Sequence, residues 1–234
     1  MNRTVFFDRV RAKPFGGSLT QSQVEGMETI LAAADQYGLK VRGQLAYVFA
    51  TAFLETARTM LPIKEYGGAA YYTKLYDVKG QNPTRAKAHG NTEPGDGPKY
   101  CGRGYVQLTW KVNYQKASAI VGADLVANPD LAMRPDIAAL IMFDGMTKGW
   151  FTGKNLDGYI SGTTRDFTNA RRIINGTDKA ATVAAYAEQF DAALIAAGWA
   201  PGAADEPLII GPKPAEPTSI WAALLAGLAA LFKR

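Results

Sequence analysis

Between Thr20 and Gly38, the apolar residues Val24, Met27, Leu31 and Ala34 recur at three- and four-residue intervals, the spacing that gives a helix one apolar face. Thr20 followed by Gln23 fits a capping box, and Gly38 offers a left-handed stop, so the pattern predicts a helix over 20–38. Leu45, Val48, Phe49, Ala52 and Phe53 form a second stripe, which predicts a helix over about 42–60 ended by Pro62. Further helices are expected over 110–121, 135–148, 165–175 and 178–197. Pro135 stands at a first turn, Gly122, Gly176 and Gly198 follow last turns, and Val183, Tyr186, Phe190 and Leu194 face inward on the last helix. Tyr105–Leu108 alternates and reads as a short strand. Helices therefore dominate.

Two stretches break this rhythm. Residues 62–104 are punctuated by Gly67-Gly68, Gly80, Asn82-Pro83, Gly90-Asn91 and Glu93-Pro-Gly-Asp-Gly-Pro98. So long an irregular segment inside a domain is either functional or carries short elements that periodicity does not resolve. After Ala200, five prolines between Pro201 and Pro217 read as a stiff linker. A run from Ile220 to Phe232 is then unbroken apolar. As a helix it reaches about 20 Å, short of a hydrocarbon core of about 30 Å, so membrane contact through 220–234, in the interface or inserted with local thinning, is expected ahead of docking back onto the domain. The division is thus a domain over 1–200, a linker over 201–217 and an apolar tail helix over 218–234.

Composition narrows the chemistry. The chain has 234 residues, enough for a full core. Its net charge of +5, from 26 Lys and Arg against 21 Asp and Glu, biases it toward anionic surfaces without basic clustering, and no nucleic-acid partner is expected. A single cysteine, Cys101, excludes an intramolecular disulfide and a cysteine zinc site; it reads as a packed thiol. The only histidine, His89, has no HExxH, GxSxG or cysteine partner and reads as a surface residue. Met1–Phe15 shows no secretion signal.

Glu55 borders the stripe of the second helix. A carboxyl at the edge of an apolar face loses hydration, which suits a general acid; a boundary glutamate paired with Arg58 is the plainer alternative. A base would have to come from Glu65, Glu93 or Asp96. In Tyr100-Cys-Gly-Arg-Gly-Tyr-Val-Gln-Leu-Thr-Trp-Lys-Val-Asn-Tyr114, the expected strand puts Tyr105, Gln107 and Thr109 on one face beside Gly102 and Gly104. Polar and aromatic side chains on one wall fit a sugar, and a half-exposed strand facing water fits equally. Arg171 and Arg172 suit an ion pair or a saccharide contact; Trp110 and Trp150 read as core.

The segment Gly102-Arg-Gly-Tyr-Val-Gln-Leu-Thr-Trp-Lys-Val-Asn-Tyr114 resembles the signature of glycoside hydrolase family 19, the chitinases and phage endolysins. Ala52-Phe-Leu-Glu-Thr-Ala57 is similar to the family's glutamate segment, and Gly90-Asn-Thr-Glu-Pro-Gly-Asp-Gly97 to the loop before the signature in the endolysin branch. Phe167-Thr-Asn-Ala-Arg-Arg-Ile-Ile-Asn-Gly176 is similar to a later Ile-Asn-Gly motif, and Phe15–Gly26 to phage members. The resemblance covers about residues 5–200. It implies a mainly α, lysozyme-like (α+β) fold, with two helical lobes around a substrate cleft and a small strand element. It also implies roles: Glu55 as acid, Glu65 as base, Thr109 holding the water, and Gln107, Asn113 and Asn175 contacting sugar, with Tyr105 and Arg103 beside them. Leu54 departs from the family's histidine, and the short Glu55–Glu65 spacing is similar to that of endolysins.

The expected function is an endolysin that hydrolyses β-1,4 bonds of bacterial peptidoglycan with inversion, without a metal or other cofactor. It would act as a monomer, be made in the host cytoplasm and work at the cell wall. A chitinase, a lytic transglycosylase and a non-catalytic wall-binding virion protein are the competing readings.

Overall fold

The computed structural model describes residues 1–201. The proline linker and the apolar tail, apart from Pro201, lie outside the described residues. The chain is mainly helical, as expected. It opens with α1 (Arg3–Ala12), capped by the Asn2 carboxamide accepting from the Val5 N–H, a helix that the periodicity did not single out. In α2 (Gln21–Tyr37) both capping-box bonds form between Thr20 and Gln23, and Gly38 takes φ +74°. Then come α3 (Arg42–Glu55), α4 (Ala69–Tyr76), α5 (Pro83–Ala88), the single turn α6 (Asp96–Lys99), α7 (Lys111–Val121), α8 (Pro135–Lys148) and α9 (Ala180–Ala196). The turns missing from the pattern of 62–104 are thus α4, α5 and α6.

Every residue from Gly43 to Phe53 is buried, so α3 is the axis of the larger lobe. Along it lies α9, joined by the Phe49–Phe190 stack at 5.2 Å and the edge contacts of Phe53 with Tyr186 (4.8 Å) and Phe190 (6.0 Å). Packed around this pair are α1 against α9 and α2 against α8. The smaller lobe holds α4–α6 and the only sheet among the described residues. There β1 (Ile63–Lys64) pairs antiparallel with β2 (Arg103–Gly104), Ile63 opposite Gly104.

Three expectations are corrected. The second helix stops at Glu55, seven residues before Pro62. Ala57, Arg58 and Met60 adopt φ of +49°, +70° and +58°, and the buried Thr56 hydroxyl donates to the Ala52 carbonyl while accepting from the Met60 N–H. The chain thereby leaves the helix axis at Glu55. Tyr105–Leu108 is not a strand: Arg103 and Leu108 exchange both backbone bonds (3.2 and 2.8 Å), which makes 104–107 a tight turn with Gln107 at φ +53°. The helix over 165–175 shrinks to one 3₁₀ turn, Asn169–Ile173.

The exit from α3 is held by a close approach. A Cβ on Gly26 of α2 would lie 2.0 Å from the Met60 carbonyl oxygen, so only glycine lets the two backbones meet. Gly26→Ala is expected to cost about 1–3 kcal/mol. Chemical denaturation measures it, and an unchanged midpoint would refute the contact.

Candidate active site

Glu55 is the last residue of α3, with 21% of its side chain exposed. Its Oε1 accepts from the Arg171 guanidinium at 2.6 Å. Arg171 is 98% buried and its Nε donates to the Asp178 carbonyl at 2.8 Å, so the cation is fixed on both sides. A buried guanidinium needs such a carboxylate, because an uncompensated charge inside a protein is costly. The segment that brings Arg171 is anchored to α3 about two turns further back, where Tyr47 stacks on Phe167 at 6.1 Å and 12°. Arg58 does not pair with Glu55; it lies over the Phe53 ring and reaches the Tyr186 hydroxyl. Leu54 packs against the core.

Glu65 follows β1 in the smaller lobe. Its Oε1 accepts from the Tyr76 hydroxyl at 2.8 Å and its Oε2 from the Gly102 N–H at 3.1 Å, while its backbone N–H donates to the Gly102 carbonyl. Burial, and then the neighbouring Glu65 carboxylate, push the Tyr76 phenol above its ordinary range, so it remains a donor. Gly102 leaves room here for two side chains. A Cβ would stand 2.8 Å from the Gln107 carboxamide oxygen and 3.1 Å from Glu65 Oε2. The turn thus places Gln107 beside Glu65, and Gln107 Nε2 donates to the Ile63 carbonyl. The Thr109 hydroxyl donates to the Gln107 carbonyl (2.8 Å), and Asn113 Nδ2 to the Thr109 carbonyl (2.8 Å). Gln107, Thr109 and Asn113 therefore form one hydrogen-bonded chain beside Glu65, with Thr109 lone pairs and Asn113 Oδ1 left to accept or bind.

Other expected residues lie elsewhere. Tyr105 is fully buried with its hydroxyl on the Met60 carbonyl, and Arg103 is 4% exposed, its donors spent on Asp130, Lys99, Cys101 and Tyr114. Both hold the turn from within instead of lining a sugar wall, because a turn does not alternate as a strand does. Asn175 is exposed just past the 3₁₀ turn that carries Arg171. Asp96 accepts from the N–H groups of Thr92 and Glu93 and from Lys111, which makes it a loop clamp; Glu93 is exposed. Trp110 is buried under His89, stacked at 4.7 Å, with Arg85 over its ring. Sequence reasoning missed Arg171 as the partner of Glu55 and Tyr76 as that of Glu65. An arginine in a stretch with buried Ala170 and Ile173 was the available signal for the first; nothing in the spacing marked the second.

A family profile described as chitinase class I, glycoside hydrolase family 19, matches residues 32–162. Endochitinase A2 of Pisum sativum is 30% identical over 115 residues, 42% of this chain and 35% of that protein. Chitinase 11 of Oryza sativa subsp. japonica is 52% identical over 42 residues, 18% of this chain and 16% of that one. The chain thus spans about a third or less of the length of these relatives. In fold it is similar to chitinase C from Streptomyces griseus HUT6037, with a TM-score of 0.53 at 18% identity over 86% of this chain and 78% of that one.

The loop before the signature is tied down by Asp77, whose carboxylate accepts from the N–H groups of Lys79, Gly95 and Gly97. Burial alone would raise this carboxyl, but the three donors outweigh it and hold it below the ordinary range. A depressed carboxyl contributes stability above its unfolded pKa of about 3.9, and the contribution is lost as pH falls through the lower folded value. Unfolding free energy should therefore drop below about pH 4 in the parent and less steeply in Asp77→Asn. Equal slopes in denaturant titrations across pH would count against the clamp.

Proposed function

Because the chain belongs to glycoside hydrolase family 19, the class I chitinases, we propose that it hydrolyses β-1,4 bonds between N-acetylhexosamines in bacterial peptidoglycan, with inversion. Glu55 carries the reading. It is a carboxylate at the end of a buried helix, with one oxygen fixed by a buried arginine and its side chain still open to a substrate. In its protonated form it hands a proton to the bridging oxygen as the C–O bond breaks. On the side of the smaller lobe, Glu65 takes a proton from the attacking water, which forms the new bond to the anomeric carbon from the opposite face. Its fixed geometry supports this, since Tyr76 and the Gly102 N–H restrict the carboxylate to one orientation. The Thr109 hydroxyl has its proton engaged by the Gln107 carbonyl, which aims its lone pairs outward to accept from the same water. Gln107, Asn113 and Asn175 are the sugar contacts in this proposal. The +5 charge favours an anionic wall polymer. An endolysin, made in the host cell and acting as a monomer at its wall, fits these features.

Chitin is the second reading, favoured by the relatives, which are named chitinases. Mass spectrometry of digests of purified peptidoglycan and of colloidal chitin separates the two; cleavage of chitin alone defeats the wall reading. Glu55→Gln should lower turnover by roughly 10²- to 10⁴-fold with substrate binding retained. Lysis at the parent rate would remove Glu55 from the mechanism.

A further inference from the structure

Four large apolar or aromatic residues stand exposed among the described residues, and two of them, Tyr66 (86%) and Tyr71 (45%), lie within seven residues of the candidate base. An exposed tyrosine is ordinary by itself. Tyr66 differs in its surroundings. It follows Glu65 directly, and Gly67 and Gly68 come next, so the chain beside it supplies no side chain to cover its ring. The Tyr71 ring, whose Cδ1 a Cβ on Gly67 would meet at 2.5 Å, packs instead on the Gly67 backbone and edge-on against Tyr72 at 5.7 Å. Tyr72 in turn donates its hydroxyl to the Glu65 carbonyl. The backbone on both sides of Tyr66 is therefore held, while its ring has neither an aromatic nor a hydrogen-bonded partner among the described residues. Residues 64–69 also line an open groove of about 400 Å³ together with Tyr72 and Pro98, and Glu65 is part of that lining.

We propose that Tyr66 is a stacking platform for one N-acetylhexosamine ring of the glycan, on the Glu65 side of the bond to be cut. Pyranose rings present an apolar C–H face and a rim of hydroxyls. An aromatic face with a polar hydroxyl, carried on a backbone held on both sides, matches both at low cost in conformational freedom. The groove that Glu65 and Tyr66 both line gives the adjoining sugars a place to lie. This assignment rests on the hydrolase reading for its substrate class, but it concerns binding and is tested by binding.

The test uses the full chain carrying Glu55→Gln, so that the probe is not consumed. Calorimetry with a soluble β-1,4 N-acetylglucosamine oligosaccharide and co-sedimentation with purified peptidoglycan measure affinity. Adding Tyr66→Ala should weaken binding to at least one probe by roughly three- to tenfold, while Tyr66→Phe, which keeps the ring, restores most of the loss. Ile195→Ala, another exposed apolar residue, on α9, should leave affinity at the background value. Thermal unfolding should be the same in all of them. Undiminished affinity of Tyr66→Ala for both probes overturns the platform, as does a background protein that binds neither. A parent that binds glycan through Tyr66 but cleaves none overturns the hydrolase reading and leaves the platform standing.

Discussion

A guanidinium stripped of water must find a carboxylate, and in this fold the one it finds is Glu55. Arg171 and Glu55 are 116 residues apart in sequence, yet their 2.6 Å contact ties the end of α3 to the segment leading into α9. The pair draws on everything around it: α3 buried along its length, the Phe49–Phe190 stack, and Tyr47 on Phe167. A buried pair of this kind is weak evidence for extra stability, since desolvation offsets much of the attraction. Its contribution is orientation. One carboxylate oxygen has a fixed partner, and the partly exposed side chain has one direction in which to act.

The second carboxylate is fixed by different means. Among the described residues no arginine pairs with Glu65. A phenol and a backbone N–H hold it, and the turn after β2 brings Gln107 alongside over the Gly102 backbone, with Thr109 bonded to the Gln107 carbonyl. The two acids thus sit in unlike surroundings, one against a buried cation in the large lobe and one against neutral donors in the small lobe.

How much of this was legible depended on whether a signal was local. The start of α2 was written in Thr20 and Gln23, and its end in Gly38; Gly122 and Pro135 marked α7 and α8 just as plainly. The group Glu65, Gln107, Thr109 and Asn113 was visible through motif resemblance. The early end of α3 was not, because Ala57, Arg58 and Met60 are ordinary helix formers that take left-handed conformations only when Thr56 and the approach of Gly26 impose them. Nor was the turn at 104–107, since alternation over four residues cannot separate a strand from a hairpin whose Tyr105 is inward for packing. Those are decisions made by tertiary contact, and they decide which of the predicted sugar contacts face a substrate.

The reach of the Glu55–Arg171 contact bears on where the working unit ends. The family match stops at residue 162, but the cation that pairs with Glu55 lies at 171 and the helix that buries the inner face of α3 runs to 196. A fragment cut at the boundary of sequence similarity would keep both carboxylates and lose the parts that aim one of them. The smallest piece able to hold Glu55 in place is set by a single side chain beyond the end of that match.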